Sequence, residues 1–157
     1  MLNQEVRATA ERSVLCWMAT VGTSGEPNVS PKEVWAIADD QHIVVANIAS
    51  PQTARNIIAT GKACVSFIDV FVQKGFKVVG PCRNIDRAAH DFNRFAAPLL
   101  KIAEPRFPVR SVFVLTAASV QAIVAPSYRL YPSETTEATQ QESAMRTYGV
   151  QAKNRGA

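Results

Sequence analysis

Short apolar runs separated by turn residues fill most of the chain, and their spacing predicts strands more often than helices. The start is an exception. From Asn3 to Ser13, Val6 and Ala10 fall on one side and Glu5, Arg7, Glu11 and Arg12 on the other, a short amphipathic helix. Val14 to Val21 (VLCWMATV) then reads as a strand, and GTSGEPN, with two glycines and a proline, as a hairpin loop. A second strand is expected from Val29 to about Ala38, a tight turn at Asp39-Asp40-Gln41, and a third strand from His42 to Asn47, the three forming a meander. Ser50-Pro51 places a hydroxyl at an N-cap and proline at the first helical position, so a helix runs from Pro51 to Thr60 and ends at Gly61.

Strands follow at Lys62 to about Val70 and Phe76 to about Asn84, on either side of a loop around Phe71 to Gly75. Asp86 is placed to cap a helix in which Phe92, Phe95, Ala96 and Leu99 form one apolar stripe and which Pro98 kinks or divides. After the proline-rich EPRFP, the segments SVFVLTA and SVQAIVA are either two consecutive strands or one bulged strand. From Pro132 onward the chain turns polar, with room for a helix over residues 135–145. The sum is a mainly β fold: a single domain over 1–157 with a barrel core at 14–131, built from six or seven antiparallel strands with helices over the ends, and a polar tail at 132–157.

Composition narrows the function. The chain has 157 residues, a hydrophobic fraction of 47% and a charged fraction of 19%, which leaves apolar surface to hide, a subunit interface being one place for it. Its 17 Lys and Arg are scattered among 13 acidic residues for a net charge of +4, with no basic run that would track nucleic acid. Cys16, Cys64 and Cys82 are widely spaced and read as small core residues of a reducing compartment. His42 and His90 lie far from any paired cysteines, so no metal site is expected. The charged N-terminus and the absence of a long apolar run point to neither signal peptide nor membrane span, and the expected location is the cytoplasm.

Three places carry candidate chemistry. The strand-to-helix junction at Ser50 offers unpaired backbone N–H groups, a helix dipole and Ser50, Thr53 and Arg55 nearby, which suits a phosphate; the plain alternative is a capped helix start. In VSPKEVWAI, Pro31 marks a strand edge or bulge, leaving backbone groups beside Lys32 and Glu33 open to a flat heterocycle and Lys32 open to an anion. The alternative there is a solvated strand end. Lys74-Gly75-Phe76-Lys77 supplies a second cation at a strand entry, or simply a hairpin with surface lysines. Trp17, Trp35, Phe67, Phe71 and Phe76 take no assigned role, and with two histidines outside any nucleophile elbow a hydrolytic triad finds no support.

In order, SVLCWMATVGTSGEPNVSPKEVWAI, HIVVANIASPQTARNI, KACVSFIDV and FKVVGPCRNI resemble the split-barrel flavoproteins related to pyridoxamine 5′-phosphate oxidase, over about Val14 to Ile85. The resemblance implies a homodimer with flavin mononucleotide (FMN) held between the two chains. By position, it implies Ser30, Pro31, Lys32 and Glu33 along the ring and ribityl chain, Ala46 and Asn47 at the flavin, and Ser50, Thr53, Arg55 and Asn56 around the phosphate. Lys74 would approach from the strand after the loop. The chain departs from the true oxidase: Pro51-Gln52 stands where that enzyme has a basic pair, so Arg55, Lys32 or Lys74 must supply the charge. Tyr128-Arg129-Leu130-Tyr131 also replaces its Arg-x-His signature, so pyridoxamine phosphate is not the expected substrate.

Two functions fit these residues: an FMN-dependent oxidoreductase acting on a small substrate, with no catalytic base assigned, or a non-catalytic FMN carrier or sensor. A third reading puts another cofactor, deazaflavin or haem, in the same place, haem requiring His42 or His90 to reach the pocket.

Overall fold

The computed structural model describes residues 1–103, 105 and 107–152. Helix α1 (Gln4–Arg12) leads into strands β1 (Cys16–Val21), β2 (Pro27–Lys32), β3 (Trp35–Ile37) and β4 (His42–Asn47). Then come helix α2 (Pro51–Thr60), strands β5 (Lys62–Asp69) and β6 (Lys74–Asp86), helix α3 (Phe92–Leu100), strands β7 (Ser111–Thr116) and β8 (Ser119–Val124), and helices α4 (Ser127–Leu130) and α5 (Glu137–Tyr148).

All eight strands join one antiparallel sheet in the order β2-β1-β5-β6-β7-β4-β3, with β8 also on β6. The ends of this path, β2 and β3, are separated in sequence only by Glu33 and Val34, so the sheet must curl until its two edges meet. That is a split barrel. The expected second strand is therefore two strands, and the expected meander does not form: β2 pairs with β1, whereas β3 pairs with β4. Pro31 has no N–H to give a second neighbour, which suits β2 to an edge, and beyond Lys32 the chain crosses to the other sheet edge.

The barrel interior is apolar. Cys16, Met18, Trp35, Ile43, Val45, Val65, Phe67, Val78, Phe113 and Leu115 form one cluster, with α1 and α2 contributing Val6 and Ile57. Outside it, Phe92, Phe95, Ala96 and Leu99 of α3 pack on Val44, Ala46, Val112 and Val114, so the central residues of β4 and β7 are buried on both faces and read as continuous apolar runs. The apolar stripe of α3 is as expected, but its start is not: Asp86 ends β6 opposite Ser111, and Asp91 holds the N-cap position with no side-chain capping bond.

Of the two alternatives, β7 and β8 are consecutive strands. Both lie along β6, with one extra residue where Gly80-Pro81 faces Thr116 to Ala118. At the bulge the carbonyl of Thr116 crowds Gly80 so closely that a Cβ has no room, which explains the glycine. Gly61 closes α2 with φ 65°, its N–H donating to the Ile57 carbonyl. The polar tail does form a helix, longer than expected, opened by a reciprocal Thr136/Thr139 capping box.

Candidate functional site

The Glu33-Val34 crossover leaves a cleft between the end of β2, the end of β4 and the start of α2. Pro31, Lys32, Glu33, Val34, Ala46, Ile48, Ala49, Ser50 and Phe107 line about 190 Å³ of space. Lys32 is its chemical centre. On β2, Asn28, Ser30 and Lys32 alternate onto one side, and in place of apolar partners they meet α2: the Lys32 ammonium donates to Ser50 Oγ at 2.6 Å. Ser30 Oγ and Asn28 Nδ2 each lie 3.4 Å from Thr53 Oγ1, and Asn56 Nδ2 donates to Thr20 Oγ1 at 3.1 Å. This polar seam holds α2 against β1 and β2.

Lys32 is only 6% exposed, yet among the described residues no carboxylate pairs with it. Burial lowers its pKa from the ordinary 10.5, and only an ionised Cys16 would oppose the shift. Cys16 sits directly across the ladder from Lys32, but its own burial pushes it up to about 12, so it stays a neutral thiol and no counter-ion. A buried ammonium with one hydroxyl acceptor retains unused donors and an uncompensated charge. Beside it, α2 opens with Pro51 and no side chain caps its first turn: Ser50, expected as that cap, is turned to Lys32 instead. Cation, hydroxyl and helix N-terminus together suit an anionic group.

Of the predicted site residues, Pro31, Lys32, Glu33, Ala46 and Ser50 line the cleft, and Asn47 lies just behind it, accepting from the Ser50 N–H and donating to Ser111 Oγ. Ser30, Thr53 and Asn56 belong to the seam. Arg55 is exposed and donates to Gln52 Oε1 at 2.7 Å, outside the cleft lining. Lys74 is three strands away across the sheet, roughly 14 Å at ordinary strand spacing. There it is paired with Glu137 at 2.8 Å and covered by the Tyr128 ring, so within one chain it does not reach this cleft.

Sequence reasoning missed Val34, Ile48, Ala49 and Phe107 in the lining and Thr20 and Asn28 in the seam. Asn28 was visible in the period-two row it shares with Ser30 and Lys32. Phe107 carried no signal beyond its position in EPRFP.

Two other features frame the cleft. Pro31 also belongs to an outward apolar face with Trp17, Val21 and Val29 at 46%, 39% and 60% exposure, continued across β5 and β6 by half-buried Cys64 and by Val79. Neither histidine lines the cleft: His42 Nδ1 is 2.7 Å from Asp39 and its ring meets the edge of Phe95, and His90 is exposed in the turn before α3.

The family model described as pyridoxamine 5′-phosphate oxidase matches residues 2–124, most of the chain. The chain belongs to this family. Solved structures are similar as well: HupZ from Group A Streptococcus superimposes with a TM-score of 0.68 at 25% identity, over 80% of this chain and 96% of that one. An FMN-binding protein from Syntrophomonas wolfei subsp. wolfei gives 0.64 at 19% identity, over 77% and 85% of the two chains. HutZ, a heme storage protein from Vibrio cholerae, gives 0.62 at 16% identity, over 78% and 94%. The last two, at such low identity, speak for the fold alone. No curated protein matches the sequence. The family model stops at β8, so α4 and α5 lie beyond it.

Proposed function

We propose that this member of the pyridoxamine 5′-phosphate oxidase family is an FMN-binding oxidoreductase that acts on a small substrate as a homodimer. The observation that carries the reading is the buried, uncompensated ammonium of Lys32 at the open start of α2. Lys32, Ser50 and the first N–H groups of α2 would hold the anionic end of the cofactor, and the backbone of Pro31 to Val34 would border its ring. Thr53, Asn56 and Ser30 would keep α2 in register with β2, as supports of the binding residues. FMN, when bound, supplies hydride or electron transfer, which requires no side-chain nucleophile.

The cleft of one chain, about 190 Å³, falls below the roughly 300–1,000 Å³ usual for such ligands. A second chain on the apolar face of Trp17, Val29 and Pro31 would wall in the remainder, since Pro31 is common to face and cleft. The placement of His42 and His90 speaks against haem in this cleft, because neither ring lines it.

Purified protein is expected to be yellow, or to become so when titrated with FMN, and to run as a dimer. After anaerobic photoreduction it should pass electrons to one class of acceptor faster than free FMN does. A colourless protein that ignores added FMN overturns the cofactor; FMN binding with no turnover above that of free FMN leaves the carrier or sensor role in its place.

A further inference from the structure

The polar side chains of the cleft lining are Lys32, Glu33 and Ser50, and among the described residues the segment between α3 and β7 adds Phe107. Phe107 is 42% exposed and is the one aromatic ring among the described residues of the lining. Its position is held from the C-terminal side. Pro108 disfavours helical backbone at Phe107, Val109 is buried in the α3 cluster, and the Arg110 N–H donates to the Asn47 carbonyl at 3.0 Å, beside Ala46 of the cleft itself. A large apolar ring kept partly in water and anchored this close to a polar cleft forgoes burial it would gain in the core.

We infer that Phe107 is a ligand-contact residue that lays its ring against the planar part of the cofactor and sheds water from it. The inference rests on the flavin reading, and it goes beyond that reading by naming the side chain that discriminates flat aromatic ligands from other anions. Lys32 attracts any anion of suitable size; Phe107 adds affinity only for one with a π face. The division of labour is spatial as well, because the charge comes from β2 and α2 and the ring from a different segment.

FMN titration of the wild-type chain with Phe107→Leu and Phe107→Tyr tests this, with the melting temperature of each apo protein measured alongside. Phe107→Leu is expected to weaken FMN binding roughly three- to tenfold, the range of an aromatic contact, and Phe107→Tyr to restore it. Both apo proteins should melt with the wild type, since the ring is half in water. Leucine binding as tightly as phenylalanine, tyrosine failing to rescue, or a loss of affinity that tracks a lower melting temperature each overturns the assignment. A wild-type chain that binds no FMN overturns the flavin reading beneath it, and the wild-type titration alone tells the two failures apart.

Discussion

Lys32 and Lys74 lie three strands apart on one sheet and have opposite electrostatic fates. Lys32 is buried with no carboxylate partner among the described residues, and burial lowers its pKa. Lys74 is partly exposed, and the hydrogen bond it donates to Glu137, aided by the charges of Glu137, Tyr128 and Glu5, raises its pKa. Both were candidate cofactor cations on sequence grounds, each a lysine at a strand end beside an irregular residue. Exposure and counter-charge, which one strand's pattern does not reveal, separate a buried cation without a carboxylate partner among the described residues from one already paired. Lys74 pairs with the tail helix at Glu137, whereas Lys32 meets the hydroxyl of Ser50.

The largest effect is expected from Lys32→Met. Loss of a charge-assisted contact should weaken FMN binding by about 1.5–3 kcal/mol, roughly tenfold to more than a hundredfold by titration. The same variant should unfold no more easily than wild type in urea, because it removes a buried charge that has no carboxylate partner among the described residues. Full FMN affinity in Lys32→Met would erase the distinction between the two lysines. Ser50→Ala comes next: with the hydroxyl gone, the apo protein keeps a buried ammonium without its acceptor, and its stability should drop by about 1–3 kcal/mol in the same assay.

Acidity separates the two sites by sign. Because the folded Lys32 pKa lies below 10.5, the unfolded chain holds more protons between the lowered value and 10.5, so Lys32 makes apo stability rise with pH across that window. FMN affinity should fall across the same window, as the ammonium is lost. Lys74, with its pKa raised, contributes stability that is present below 10.5 and lost as pH rises through the raised value. An FMN affinity that stays flat until well above pH 10.5 would mean that Lys32 is not the cation in contact with the phosphate.

Most of the fold was legible because strand and turn chemistry are local. The turn at Asp39 to Gln41, the Pro51 helix with its Gly61 end and the stripe of α3 all followed from spacing. The break at Glu33-Val34 was not legible, since a continuous run VSPKEVWAI looks the same whether its halves pair with one neighbour or with opposite edges of a closing sheet. The role of Ser50 was missed for a related reason: a serine before Pro51 fits a cap by local rules, and only the crossing of β2 over α2 brings Lys32 close enough to claim its hydroxyl. Arg55, a charge one turn into α2, faces outward to Gln52, a direction that depends on which side of the helix the barrel covers.

The smallest effect, and the sharpest check on the comparison, is expected from Lys74→Met. The pair it breaks is solvent-exposed, with side chains 37% and 64% accessible, so its loss should cost no more than about 1 kcal/mol of stability and less at high salt. Tyr128 would lose a cation over its ring but keep the hydrogen bond from its hydroxyl to the Val72 carbonyl, and Phe71 would still meet Tyr148 edge-on, so α4 and the end of α5 should stay docked. Hydrogen exchange should therefore quicken only at the start of α5, near Glu137, with FMN affinity within about twofold of wild type, the scale of an exposed charge pair. If the variant instead loses FMN as severely as Lys32→Met while its chains still dimerise, then Lys74 of one chain serves the cleft of the other. The sheet would then carry two cofactor cations instead of one cation and one fastening.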